Sequence, residues 1–356
     1  MAGILSSDLA VWAIVKEATY GTDSVASAID ANTNFVYASM LSGSSMTPTP
    51  DFVRPNLVRA SQDGVSHAYA ANGGSLAFNF LLRGGVGTPN TPACGVLLQT
   101  MGLGEAAGAS STVYTIQTAN DTSLSAWKWS RNISNDNWRL QRALGVRLTG
   151  SFSGTVNQDV SVSATGGCVN SPEYTVDRTY FNASDEPALD ETGATVTYTG
   201  AATADTSERM LCKSVTLTIG GTAYPCSAFD FDLGFSVGPI SAITGSSTVA
   251  QLIRSRGDGA NASGNLALEM VDASTYGAAL DDALTKYAAS TEVALVIVVS
   301  GSTRKLTINM PKIQLTRPTE RPSNGAMGWD LGFAVNGDFA SAPFGDNSIV
   351  FTFADV

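Results

Sequence analysis

Histidine occurs once in 356 residues, at His67, and that scarcity removes much chemistry at the outset. A Ser-His-Asp or Cys-His arrangement would have to run through this one side chain. It stands in Val65-Ser66-His67-Ala68-Tyr69, a loop-like stretch with no Gly-x-Ser-x-Gly elbow beside it, and reads as an ordinary loop histidine. Cysteine is scarce too. Cys94, Cys168, Cys212 and Cys226 form no Cys-x-x-Cys, and one histidine cannot complete a zinc set. Nothing marks the chain as secreted, so buried free thiols are expected, with a Cys212–Cys226 bridge across a hairpin as the alternative. Charged residues make up only 14%, against roughly 25% in ordinary soluble domains. Twenty Lys+Arg against 31 Asp+Glu give a net charge of −11, the wrong sign for gripping nucleic-acid phosphates, and no basic run occurs.

Long apolar runs are missing as well. The longest is Val293 to Val299, far short of the ~20 residues that span a bilayer. Met1 to Val15 has no basic start and is interrupted by Asp8, so it does not read as a signal peptide. A soluble protein made in a cytoplasm is expected, with no membrane partner. There is no Walker sequence. Gly102-Leu103-Gly104 ends a helix instead of opening one, which rules out a dinucleotide loop. Asp258-Gly259-Ala260-Asn261 lacks the remaining ligands of a calcium loop. No metal and no cofactor are expected.

What the chain has is small residues and alternation. Hydrophobic residues are 44% and glycines number 35, enough to bury a substantial core. Leu76-Ala77-Phe78-Asn79-Phe80, Val160-Ser161-Val162-Ser163, Val215-Thr216-Leu217-Thr218-Ile219, Phe229-Asp230-Phe231-Asp232-Leu233 and Trp329-Asp330-Leu331-Gly332-Phe333 all alternate with period two. Gly, Asn and Pro clusters separate them, which predicts a mainly β chain of sandwich or barrel type. Two helices interrupt it. Thr91-Pro92 opens one that runs to about Met101, where Gly102 stops it. The other runs from about Tyr276 to Tyr287, with Tyr276, Leu280, Leu284 and Tyr287 in a stripe and Asp281 and Asp282 off it.

The sequence also repeats itself. Leu57-Val58-Arg59 followed by Asp63-Gly64 precedes a strand at Gly74-Ser75-Leu76-Ala77-Phe78. Leu252-Ile253-Arg254 followed by Asp258-Gly259 precedes one at Gly264-Asn265-Leu266-Ala267-Leu268. A helix, a hairpin, Val146-Arg147-Leu148-Thr149 or Ile313-Gln314-Leu315-Thr316, and a final strand follow in each half. The predicted organisation is a first β-sandwich domain at 1–171, a linker at 172–205 and a second domain at 206–356, each with a flanking short helix. A long loop at 42–73 shows little alternation, and a stretch near Val237 to Ser263 is its counterpart.

Acids invite a hydrolase reading. Asp230 and Asp232 share one strand face, and Trp127 and Trp129 offer aromatics for a glycan groove. The plainer reading makes the acids the solvated side of an amphipathic strand and has the tryptophans pack or line an interface.

Several segments together resemble the tail tube (major tail) proteins of long, non-contractile-tailed phages. They are Lys16-Glu17-Ala18-Thr19-Tyr20-Gly21-Thr22, Asp51-Phe52-Val53-Arg54-Pro55, Gly74 to Phe80, and Pro92-Ala93-Cys94 through Gly102-Leu103. The ordered set covers roughly residues 15–165, and the second half joins it through the repeat. The resemblance implies a structural virion protein that is not an enzyme. Its sheets continue from subunit to subunit into a ring-wide β-barrel, and rings stack into a tube for DNA ejection. Single-domain members form six-membered rings, so two domains per chain imply a trimeric ring with pseudo-sixfold symmetry, a hexamer being the alternative. Implied partners are further copies of the chain, the terminator, tape measure and distal tail proteins, and double-stranded DNA in non-specific transit.

Under this reading Asp159, Asp230, Asp232, Glu269 and Asp330 are expected to line the lumen, on faces without Lys or Arg. Arg54, Arg59 and Asp63 in the first long loop, and Arg254, Arg256 and Asp258 in its counterpart, are expected to pair with neighbouring subunits or rings. The segment Met1–Thr22 and the strand at Ile349–Phe353 are further candidates for such contacts. Two other functions compete: a β-sandwich adhesin or fibre module, which would ordinarily carry a secretion signal, and a glycan-acting hydrolase, which would lose activity on removal of one acid.

Overall fold

The computed structural model describes residues 5–22, 36–37, 40–49, 51–53, 68–71, 73–85, 91–92, 94–117, 122–132, 137–170, 172, 178, 208–213, 215–240, 251–255, 261–269, 273–323, 326–337 and 347–356. The first half supplies β1 (Leu5–Lys16), β2 (Val36–Tyr37), β3 (Ser45–Pro48), β4 (Asp51–Val53), β5 (Ala68–Ala71), β6 (Gly74–Leu81), α1 (Gly95–Thr100), β7 (Leu103–Ala107), β8 (Ser111–Ile116), β9 (Leu124–Asn132), β10 (Trp138–Thr155) and β11 (Ser161–Cys168). The second supplies β12 (Val215–Ile219), β13 (Thr222–Tyr224), β14 (Cys226–Asp232), β15 (Ser236–Ile240), β16 (Gln251–Ser255), β17 (Ser263–Glu269), α2 (Ala273–Ala288), β18 (Glu292–Ser300), β19 (Arg304–Leu315), β20 (Thr319–Ser323), β21 (Ala326–Val335) and β22 (Val350–Asp355). The chain is mainly β, as its alternation predicts, and the ladders are antiparallel.

The order of strand pairing occurs twice. In the first half it runs β2-β1-β9-β10-β11-β6-β3. In the second it runs β13-β12-β18-β19-β21-β17-β14. In each half one long strand turns the corner between two layers. The β9–β10 register shifts between Ala143 and Val146, around Gly145 at φ +62°, and from Arg147 onward β10 pairs with β11. Likewise β19 pairs with β18 along most of its length and with β21 only through Ile313–Leu315. The layers then face each other over a core, with Trp12 of β1 edge-on to Phe78 of β6 at 5.5 Å and 89°. The β10–β14 ladder joins the halves, and β22 pairs with β19 on one side and β8 on the other. Among the described residues no path of pairings returns to its starting strand, so the sheet they form is open and branched.

Some local expectations are corrected. Helix α1 begins at Gly95, not at Pro92; Thr91 bonds Thr112 instead of capping, and the Pro92 carbonyl accepts from Gly95 N at 2.8 Å. The stripe on α2 is not its buried face. Ala279 and Ala283 are buried while Leu284 and Tyr287 stay 40% and 39% exposed. Small alanines let the helix approach closely, and Asp282 is drawn inward by the Tyr224 hydroxyl at 2.6 Å and by Lys286. The segment 42–73 contains β3, β4 and β5. The C-terminal strand is occupied on both edges within the chain. Trp127 and Trp129 are buried, as the plainer reading holds. All four cysteines are free.

Candidate assembly edges and polar sheet face

Eight strands form one continuous sheet across both halves, in the order β3-β6-β11-β10-β14-β17-β21-β20. Period-two alternation splits its faces. One face is core, carrying Phe78, Phe80, Val162, Phe152, Phe231, Leu266 and Phe333, all buried. The opposite face is a lattice of small polar residues. One row across it reads Asn79–Ser163–Ser151–Asp232–Ser263–Ala334, and the next Leu81–Ser161–Ser153–Asp230–Asn265–Gly332.

Four of the five acids expected in the lumen share this face. Asp230 and Asp232 are exposed on it. Burial, and then the neighbouring charge of Asp330, pushes the Asp230 carboxyl above its ordinary value. Glu269 and Asp330 stand there half-buried, with Arg321 between them, 2.8 Å from Glu269 and 3.0 Å from Asp330. The expectation of a face free of arginine is therefore corrected: β20, which the sequence did not announce, carries Arg321 onto it. Asp159 stands apart, in the turn before β11. Its carboxylate accepts from Arg209 Nε at 3.0 and 3.1 Å, and its side chain is only 7% exposed.

Of the expected contact charges, Arg54, Arg59, Asp63, Arg256 and Asp258, like His67, lie outside the described residues. Arg254 is bound within its own chain. The β15–β16 hairpin reaches back over one end of the first half's sheet, and Arg254 Nε donates to the Leu148 carbonyl at 3.1 Å. Its Nη2 donates to the carbonyl of Thr100, at the end of α1. In return Arg147 of β10 donates to the Leu252 carbonyl of the hairpin. Tyr20 completes the clasp: its hydroxyl accepts from Leu252 N at 2.7 Å, and the Arg147 guanidinium lies 4.4 Å from its ring centre. A cavity of about 510 Å³ opens beside the clasp, between Ser75, Thr149 and Thr165 below and Val237 and Pro239 above.

In the sequence Glu17 and Tyr20 stand out only as parts of a motif. The structure gives each a task, and the signal was there: an acid and a glycine either side of a tyrosine at the end of an apolar strand.

The sheet's two outermost strands complete the site. Among the described residues β3 pairs only with β6, and β20 only with β21. By pairing order β3 stands where β14 stands in the second half. Strand β20 continues β19 along β21, as the far end of β10 runs along β11. Pro48 and Pro322 lie on these strands, and each lacks an N–H, which limits open-ended pairing.

Among the described residues no group of three or more His, Cys, Asp or Glu could hold a metal ion, and no helix is long and apolar enough to cross a membrane. No protein-family model matches the chain, and no curated protein matches it.

Proposed function

We propose that the chain is a structural subunit that joins copies of itself edge to edge into rings, and that the rings stack into a tube through which DNA passes, as in the phage tail tube proteins its sequence resembles. One observation carries the reading. The ladder between β10 and β14 joins two halves of like pairing order, and the equivalent strands at the outer ends, β20 and β3, pair with no further strand among the described residues, the Met46 carbonyl of β3 taking only the Gln141 side chain at 3.3 Å. The same antiparallel junction made between copies pairs both of these outer strands. Strand direction alternates across all eight strands, so β20 of one copy meets β3 of the next in the correct sense.

Size favours three copies. About 24 strands, spaced about 4.8 Å and tilted about 40°, make a wall about 48 Å across. Short side chains leave a bore of about 38 Å, wide enough for a duplex. Six copies would double the wall to about 95 Å and leave the duplex unguided. The Ser, Thr, Asn and Asp face turned to this bore offers few cations to hold phosphates.

Negative-stain imaging and mass measurement of the purified chain test this. Rings with the mass of three chains, stacking into tubes, are expected. Six chains per ring reject the trimer. A protein that stays monomeric at high concentration rejects the function.

A further inference from the structure

The two halves differ in what covers the end of their helix. At the end of α1, Thr100, Met101 and Gly102 are all buried, and Arg254 of the β15–β16 hairpin bonds the Thr100 carbonyl and packs on Gly102. At the end of α2, the residues from Tyr287 to Thr291 are all exposed. The two ends share two further features. Each helix closes on a residue of positive φ, Gly102 at +94° and Ser290 at +50°. Each lies against the end of the first strand of its half: Lys16 bonds Gln99 of α1 at 2.7 Å, and Lys286 of α2 bonds the Ile219 carbonyl at 3.1 Å. The sheet position beside them follows suit. Arg147 is 4% exposed beneath the hairpin, whereas Gln314, its repeat counterpart, is exposed.

We infer that the exposed end of α2, with Leu284 and Tyr287 as its apolar part, is the seat for the β4–β5 hairpin of a second copy of this chain. That hairpin follows β3 as β15–β16 follows β14. In one chain the β14 junction brings β15–β16 over the end of α1. A β3–β20 junction between copies brings β4–β5 over the end of α2 by the same geometry. The inference rests on the edge-to-edge ring proposed above, and it names the second contact that accompanies each strand junction. An apolar helix face left bare in the monomer is thereby covered in the ring.

The test pairs two measurements. L284E/Y287E changes side chains that are 40% and 39% exposed, so the monomer should stay folded with only a modestly lower melting temperature while ring yield falls at least tenfold. Separately, T291C with A70C should give disulfide-linked dimers and trimers on non-reducing gels of assembled rings, and neither single substitution should. Rings formed at wild-type yield by L284E/Y287E, or rings of the double-cysteine chain without cross-links, overturn the seating alone. A wild-type chain that forms no rings overturns the assembly reading and this inference with it.

Discussion

Phe152 and Phe231 stack directly across the β10–β14 ladder, ring centres 5.0 Å apart and planes 12° apart. Phe351 of the C-terminal strand leans on both, at 4.7 and 6.1 Å. Three strands from both halves thus meet in one aromatic cluster, which makes the halves interdependent. F152A should cost about 3–5 kcal/mol of unfolding free energy by urea titration. A double-mutant cycle with F351A should show coupling of about 0.5–1.5 kcal/mol. Full additivity would mean that the rings do not act together.

Glu17 is a buried carboxylate whose acceptors are well used. It takes Ser123 Oγ at 2.6 Å, Ser125 Oγ at 2.8 Å, Gly21 N at 2.8 Å and Gly145 N at 2.7 Å. These donors fix the end of β1, the start of β9 and the corner of β10. E17A leaves them without the acceptor, so a loss of about 3 kcal/mol or more is expected by chemical denaturation. G145A attacks the same corner from the backbone. Its φ of +62° disfavours any side chain, and a Cβ would meet Val169 at 2.9 Å. It should destabilise by about 1–3 kcal/mol, measured the same way.

The thiols should be silent in the native protein. Burial pushes Cys168 and Cys226 up to about 12 and Cys212 up to about 11. At pH 8 the thiolate fraction is then about one in a thousand or less at each. Titration with an aromatic disulfide reagent should leave these three unmodified until guanidinium is added. Rapid native labelling of Cys212 or Cys226 would contradict their packing.

Alternation made the strands readable, because each has one face on the core: Phe229 and Phe231 against Asp230 and Asp232 is the plainest case. A repeated order of strand and helix along the chain is legible from two Gly-led strands and two helices, but which strands pair is not. Strand β20 was not legible either, since Thr-Glu-Arg-Pro-Ser alternates nothing and pairs only because β21 offers an edge; Arg321 was missed with it. The face of α2 was misleading for another reason. Its larger apolar residues, Leu284 and Tyr287, point away from the body, and its alanines pack. Pattern alone cannot distinguish a face buried in the chain from one left for a partner. Arg254 reads in sequence as a charge for pairing with a neighbouring subunit or ring because the carbonyls it binds, Thr100 and Leu148, lie more than a hundred residues away.

Glu208 ties the start of the second half to the β18–β19 turn, and the tie should be visible in pH dependence. Its carboxylate accepts from the hydroxyl and amide of Ser302 and of Thr303, the hydroxyls at 2.5 and 2.7 Å. Partial burial works to raise its pKa, but these donors outweigh it and hold the group at about 2, against an ordinary 4.5. The folded value lies below the unfolded one, so the ionised group favours the folded chain. That contribution is fully present above about pH 5 and drains away as pH falls from 4.5 towards 2. Solvent screens the site, so E208A should cost only about 1 kcal/mol at pH 7. The gap between wild type and E208A in urea titrations should narrow at pH 4 and be smaller still at pH 3. A gap that stays constant from pH 7 to 3 would show that Glu208 acts through packing and not through its charge.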